Sequence, residues 1–439
     1  MHDRRGNPVS TASAEALEHA ERALWRLMTF YGTPLDDLDA AAAADPGWVL
    51  PAVMKAGFLI GLGEAGFARE GASVLDAAEP LLAAATERER AHFAALGTLQ
   101  AGDWDGARRA WEALLQAHPR DAMALQWAHL FDFYRGDAER LRERPAAVLP
   151  AWSADDPLRP HVVAMHAFGL EESNRYAEAE AAGRAALEAE PKAPWAVHAV
   201  AHVMEMQGRH AEGTRWLVAR RGEWARGNGF SVHLGWHQAL FALERLDIAA
   251  ALALHDEHIA AANTTVALER LDSASLLWRL HLVGADVGPR WRALVDAWRL
   301  DEDAAGHYAF NDAHALLALI GAGECARAEA WLRATRERAE AAGGTNRAMA
   351  REVGVPLMQG LLAFADGRWN EAVETLGAVR GVAHRFGGSH AQRDLIDQTL
   401  LAASARSGSR AAGRALLAAR AALKGGTPLT AHWAERLSA

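Results

Sequence analysis

Two short stretches carry residue types that do chemistry. "HAVAHVME" (198–205) sets His198 and His202 four residues apart, with Glu205 three further on. "HLGWHQAL" (233–240) repeats the spacing with His233 and His237 and places Trp236 beside them. On a helix, residues i and i+4 share a face, so each pair would present two imidazoles together. Such a pair can grip one divalent metal ion while a facing helix completes the shell. His198, His202, His233 and His237 are therefore the candidate metal ligands. Without metal, the same imidazoles and the Glu205 carboxylate could transfer protons near neutral pH. The first stretch is not the H-E-x-x-H zinc-protease motif, because residue 199 is alanine. A zinc site would need another base, and Glu205 is the candidate. Spacing alone does not decide: with 20 histidines in 439 residues, about one H-x-x-x-H pair arises by chance. Histidines on helix faces also often do no more than hydrogen-bond a neighbouring carboxylate or carbonyl.

The elements that would position these residues are helical. Alanine and leucine dominate, β-branched residues are few, and strand-like alternation is nearly absent, so the expected class is all-α. Helix–turn–helix units recur. "FAALGTLQAGDWDGARRAWEALLQAHPRD" (93–121) turns at Gly102-Asp103, with Ala107 and Trp111 at helical spacing and Pro119 closing the second helix. This is the tetratricopeptide pattern, in which glycine permits the turn and alanine permits close helix approach. Further copies turn near Asn174, Gly208, Leu246-Asp247, Gly323 and Gly367, and a weaker copy follows at 405–423. The expected fold is a tetratricopeptide-like right-handed superhelix of eight or nine antiparallel helix pairs, forming one continuous domain over 1–439. Residues 88–439 hold the recognisable repeats; residues 1–87 read as helical without a clear register. Counting back from each turn, His198, His202, Glu205, His233, Trp236 and His237 fall on the face of the first helix of each pair, which lines the concave groove. His161, Glu171, Glu172, Phe310 and His314 take the same phase in neighbouring repeats.

Composition removes several function classes. The net charge is −10 without a basic stripe, which argues against a nucleic-acid partner. No run approaches the ~18 apolar residues of a membrane span, and the N-terminal stretch lacks the apolar run of a signal peptide. The single cysteine, Cys325, rules out an internal disulfide framework and fits the cytoplasm. There is no nucleophile elbow, phosphate-binding loop or dinucleotide fingerprint.

Several stretches together resemble a known family: "HAVAHVMEMQGRHAEG" (198–213), "HLGWHQALFALERLD" (233–247), "LDSASLLWRLHLVGADVGPRW" (271–291), "FNDAHALLAL" (310–319), "REVGVPLMQGLLAFADG" (351–367) and "GGSHAQRDLI" (387–396). In order and spacing they are similar to the tetratricopeptide repeat protein 38 family along nearly the whole chain, with Leu246 in place of the usual turn glycine. The resemblance implies the helical-repeat fold and no particular reaction. It marks His198, His202, Glu205, His233, Trp236, His237, Asp272, Asn311, Asp312, His314, His390, Arg393 and Asp394 as recurrent motif positions.

Each of these has a plainer reading. Asp272, Asn311, Asp312, Ser389 and Asp394 could be helix caps. The glycines of "GGSHAQRD" could instead free N–H groups for an anion, with Arg393 as clamp. Trp195 and Trp236 could stack on a ligand or simply pack. The leading expectation is a concave pocket that binds a small polar or aromatic ligand. Its centre is His198, His202, His233, His237 and Glu205, with Trp195, Trp236, Glu172, Asp272, Asn311, Asp312, His314, His390, Arg393 and Asp394 around it. Hydrolysis or proton transfer would be its chemistry, with imidazole alone or with a divalent metal. The competing expectation is a peptide- or protein-binding scaffold without catalysis. A third is a structural homodimer whose groove is filled by its partner.

Overall fold

The computed structural model describes residues 1–260, 266–341 and 343–438. Among them there is no β-strand, and the helices form eleven antiparallel pairs followed by a last helix, Pro428–Ser438. This exceeds the expected eight or nine because the N-terminal stretch is itself paired: Ala14–Thr29 with Leu35–Ala44, and Leu50–Gly61 with Ala65–Ala78. No described helix is long and apolar enough to cross a membrane.

One turn chemistry closes most pairs. At Gly208 (φ +70°) the backbone enters the left-handed region. There the Gly208 amide donates to the Glu205 carbonyl and the Arg209 amide to the Met204 carbonyl. These are the two bonds of a Schellman cap, which satisfy carbonyls left open at the helix end. The same bond pair recurs at Asn174 (φ +61°) and at Leu246 (φ +55°). The turn therefore survives the loss of its glycine. Its neighbour Asp247 accepts from the Ala250 amide and caps the next helix.

The chain divides into two compact units. The first is Met1–Val200 with Gly227–Gly229 and Gly343–Thr345. Its core holds fully buried Trp111, Phe131, Tyr134 and Phe168. A buried polar knot joins helix Glu87–Gln100 to helix Ala122–Tyr134. Arg88 Nε donates to Asp121 Oδ2 at 2.6 Å, and His92 Nε2 meets the same oxygen at 2.8 Å. The other oxygen, Oδ1, accepts from the Ala124 amide at 3.1 Å, so Asp121 is also the helix N-cap. Burial would push this carboxyl up, but Arg88 and His92 outweigh it and hold it well below the usual carboxylate range.

The second unit is Ala201–Arg226 with Phe230–Ala342 and Asn346–Ala439. Its pairs include Ser231–Glu244 with Ile248–Leu254, Ala309–Gly321 with Cys325–Ala341, and His390–Ser407 with Arg410–Lys424. Helix Ala267–Leu282 packs against both Ser231–Glu244 and His390–Ser407. Close approach is set by small residues: a Cβ on Gly213 would lie 2.5 Å from the Phe241 ring. A Cβ on Gly208 would lie 2.0 Å from the Lys424 carbonyl, so the end of the Lys424 helix abuts that turn.

Candidate functional site

The boundary between the units falls inside helix Pro194–Met206, after Val200. His198 is thus counted with the first unit and His202 with the second, one helical turn on. Within the first unit, His198 packs on Phe168 (5.1 Å between ring centroids) and Trp195 (5.4 Å). Trp195 also packs on Phe30 and His129. Glu172 is buried at the end of helix Arg159–Glu172.

The second unit brings three predicted imidazoles together. The His202 and His237 rings lie 4.4 Å apart, edge to face, and His233 and His237 lie 4.8 Å apart. One ligand nitrogen from each can be chosen so that all lie within 4.8 Å of one another. The helical i, i+4 spacing places His233 and His237 on one face, and helix Pro194–Met206 supplies His202 opposite. Trp236 stacks on His233 at 5.1 Å and is fully buried. His202 and His237 are fully buried too, whereas the His233 side chain keeps 20 % of its surface exposed. His233 is therefore the member that meets solvent.

Two buried carboxylates hold two of these rings. His237 Nδ1 meets Glu205 Oε2 at 3.1 Å, and His233 Nδ1 meets Asp272 Oδ2 at 2.9 Å. A neutral imidazole that donates its Nδ1–H to a carboxylate carries its lone pair on Nε2. Burial, then the neighbouring His202 and His233, push the His237 imidazole well below the usual histidine range. It is therefore neutral at pH 7 and able to accept a proton or a metal ion. Burial pushes the Asp272 carboxyl up, against the opposing pull of His233.

A second layer of charge lies behind them, and of its members only Asp394 stands among the sequence candidates. Lys424 Nζ donates to Glu205 Oε1 at 3.3 Å and lies 3.6 Å from Asp394 Oδ2. Burial disfavours its ammonium, but Asp394 and Glu205 outweigh that and raise its pKa. Arg420 donates to both Asp394 oxygens, at 2.9 and 3.0 Å, and to Glu244. Arg279, fully buried, donates to Ser275 and to the carbonyls of Ala391 and Gln392. Burial lowers its pKa to about 10. The signal for Lys424 was available: Gly413, Leu417, Arg420 and Lys424 continue one buried stripe at helical period. Lys424 is also one of only three lysines in the chain.

Several expected roles are corrected by the geometry. Asp272 is no helix cap; it lies inside helix Ala267–Leu282 and serves His233. Helix Ala309–Gly321 begins after Tyr308, so neither Asn311 nor Asp312 caps it. Asp312 accepts from the Gly306 amide at 3.0 Å, and burial pushes its carboxyl up to about 7. His314 Nδ1 meets the Phe310 carbonyl at 2.9 Å. The cap of helix His390–Ser407 is Ser389, in a capping box with Gln392, and not Asp394. Arg393 donates to the Gly388 carbonyl, which closes its own loop. His390 begins that helix and is half-buried.

No family model matches the chain. Among solved structures it is similar to a tetratricopeptide repeat protein from Parabacteroides merdae, at 11 % identity and TM-score 0.33 over 71 % of this chain and 98 % of that one. It is also similar to human IFIT1, at 13 % identity and TM-score 0.39 over 97 % and 88 %. A third is yeast Tom70, at 12 % identity and TM-score 0.31 over 97 % and 88 %. Nothing about ligand or activity passes from these proteins to this chain. The arrangement of paired helices closed by repeated Schellman turns identifies the fold as an all-α, tetratricopeptide-like helical repeat.

Proposed function

We propose that this helical-repeat protein binds a small polar or aromatic ligand at the His202, His233 and His237 cluster and can act on it by proton transfer or hydrolysis. One observation carries this reading: two of three converging imidazoles are oriented through Nδ1 by buried carboxylates, Glu205 and Asp272. Burying imidazoles against one another takes polar groups out of water, which costs folding free energy unless each finds a partner. The same arrangement gives a proton acceptor on Nε2 and a fixed ring orientation, which general-base chemistry requires. Trp236 offers an apolar wall, and the partly exposed His233 offers the approach. The resemblance to the tetratricopeptide repeat protein 38 family belongs to this proposal, because it marks the same residues.

The test is a thermal-shift and saturation-transfer NMR screen of small polar and aromatic compounds against the full chain and His233→Ala. The reading expects compounds that bind the parent chain and lose at least about tenfold in affinity, roughly 1.4 kcal/mol, in the variant. Compounds that bind both chains equally would overturn it. Binding of extended peptides alone, insensitive to His233, would favour the scaffold.

A further inference from the structure

We propose that His202, His233 and His237 form a centre for a divalent transition-metal ion, with Glu205 and Asp272 as its outer carboxylates. The inference rests on the reading above that this cluster is a binding site, and it names what binds there first. The donor set comes from two helices, with ligand nitrogens within 4.8 Å of one another. A tetrahedral ion with bonds of roughly 2.0–2.1 Å needs donors roughly 3.3 Å apart. Binding would therefore require the three side chains to draw together around the ion.

The outer contacts make the assignment specific. Ligating histidines characteristically donate their second ring N–H to a carboxylate, which fixes the ring and raises its basicity. Here His237 does so to Glu205 and His233 to Asp272, at 3.1 and 2.9 Å. Neither carboxylate is loose. Glu205 is held in turn by Lys424, and Asp272 is fully buried inside its helix. The buried groups Glu205, Asp272, Asp394 and Glu244 face Arg279, Arg420 and Lys424. Three imidazole donors select zinc, copper, iron or nickel over magnesium or calcium. A site in which only three protein groups ligate the ion would leave a coordination position for a water, acidified there to near neutrality.

The test is elemental analysis of untagged full-length protein purified without chelators, followed by calorimetric titration of the chelator-treated protein with Zn²⁺ and Co²⁺. The chains compared are the parent, His233→Ala and Asp272→Asn. The inference expects about one equivalent of transition metal in the parent. It expects loss of that equivalent in His233→Ala and a 10–100-fold weaker affinity in Asp272→Asn. Asp272→Asn keeps the size and one acceptor oxygen, so it tests the centre even if His233→Ala misfolds. A folded parent that neither carries nor binds either ion overturns the inference. So does an equivalent that both variants retain at unchanged affinity, because the ion then sits elsewhere. Either result leaves the ligand screen to judge the binding site on its own.

Discussion

The two units each set a histidine against a buried aspartate, and they use the pair differently. In the first, Asp121 takes His92, Arg88 and the Ala124 amide, so one carboxylate joins two helices and caps one of them. Every part of that contact serves the fold. In the second, Asp272 holds His233, and His233 faces His237, which faces His202. Asp272 caps nothing and pairs with no arginine at ion-pair distance among the described contacts. The same residue pair is structural where it closes a helix end. It becomes a candidate site where it aims one imidazole at two others.

The contrast is sharpest when both partners are removed together. His92→Leu/Asp121→Leu strands Arg88 in the core and deletes a cap, and should cost about 3–5 kcal/mol. Hydrogen exchange across helix Ala122–Tyr134 would register it; unchanged protection would deny the knot its role.

Acid should expose a liability that both units share. Burial pushes His161 in the first unit and His314 in the second down to about 4. The folded pKa is below the unfolded value of about 6.5, so the unfolded chain binds the proton first. The stability is fully present above about pH 6.5 and is lost as pH falls toward 4. His161→Leu should remove up to about 3 kcal/mol of that loss, read as a higher urea midpoint at pH 4.5 with little change at pH 8. Equal midpoint shifts at both pH values would show that His161 is not the titrating group.

A smaller effect separates the turns. Leu246 sits in the left-handed region that costs a branched side chain about 1–2 kcal/mol, while Asn174 in the first unit tolerates it. Leu246→Gly should stabilise by up to about 1 kcal/mol, and Asn174→Gly by less, in paired thermal melts. Destabilisation by Leu246→Gly would mean that the leucine side chain packs in a way that outweighs its backbone strain.

Most of the fold was legible because its turns are chemical. Gly208, Gly323 and Gly367 announce left-handed caps, and Leu246 was placed correctly from its neighbours' spacing. Helical phase put His198, His202, Glu205, His233, Trp236 and His237 on one face of the first helices, and the second unit brings the rings of His202, His233 and His237 together. What failed was local reasoning about lone carboxylates. Asp272 precedes an apolar run and so resembles a cap, but its partner is 39 residues away in sequence. Ser389 and Asp394 were alternative caps for one helix, and Asp394 instead pairs with Arg420, 26 residues on. The last repeat's weak pattern hides Lys424 and Arg420, although both occupy core positions of its second helix. Tertiary pairing decided each case, and no local pattern encodes it.

The central claim is that the second unit's imidazoles are kept for a ligand and not for the fold. The measurement that tests it most directly is stability and Zn²⁺ binding on one variant, His233→Leu/Asp272→Leu. Exchanging both partners for apolar residues of similar size removes the His233–Asp272 pair as a unit and should change stability by less than about 1 kcal/mol. The account predicts that near-neutral stability together with lost metal binding. A loss of about 3–5 kcal/mol, matching the Asp121 pair, with no Zn²⁺ bound by the parent chain, would make the cluster another structural knot and contradict it.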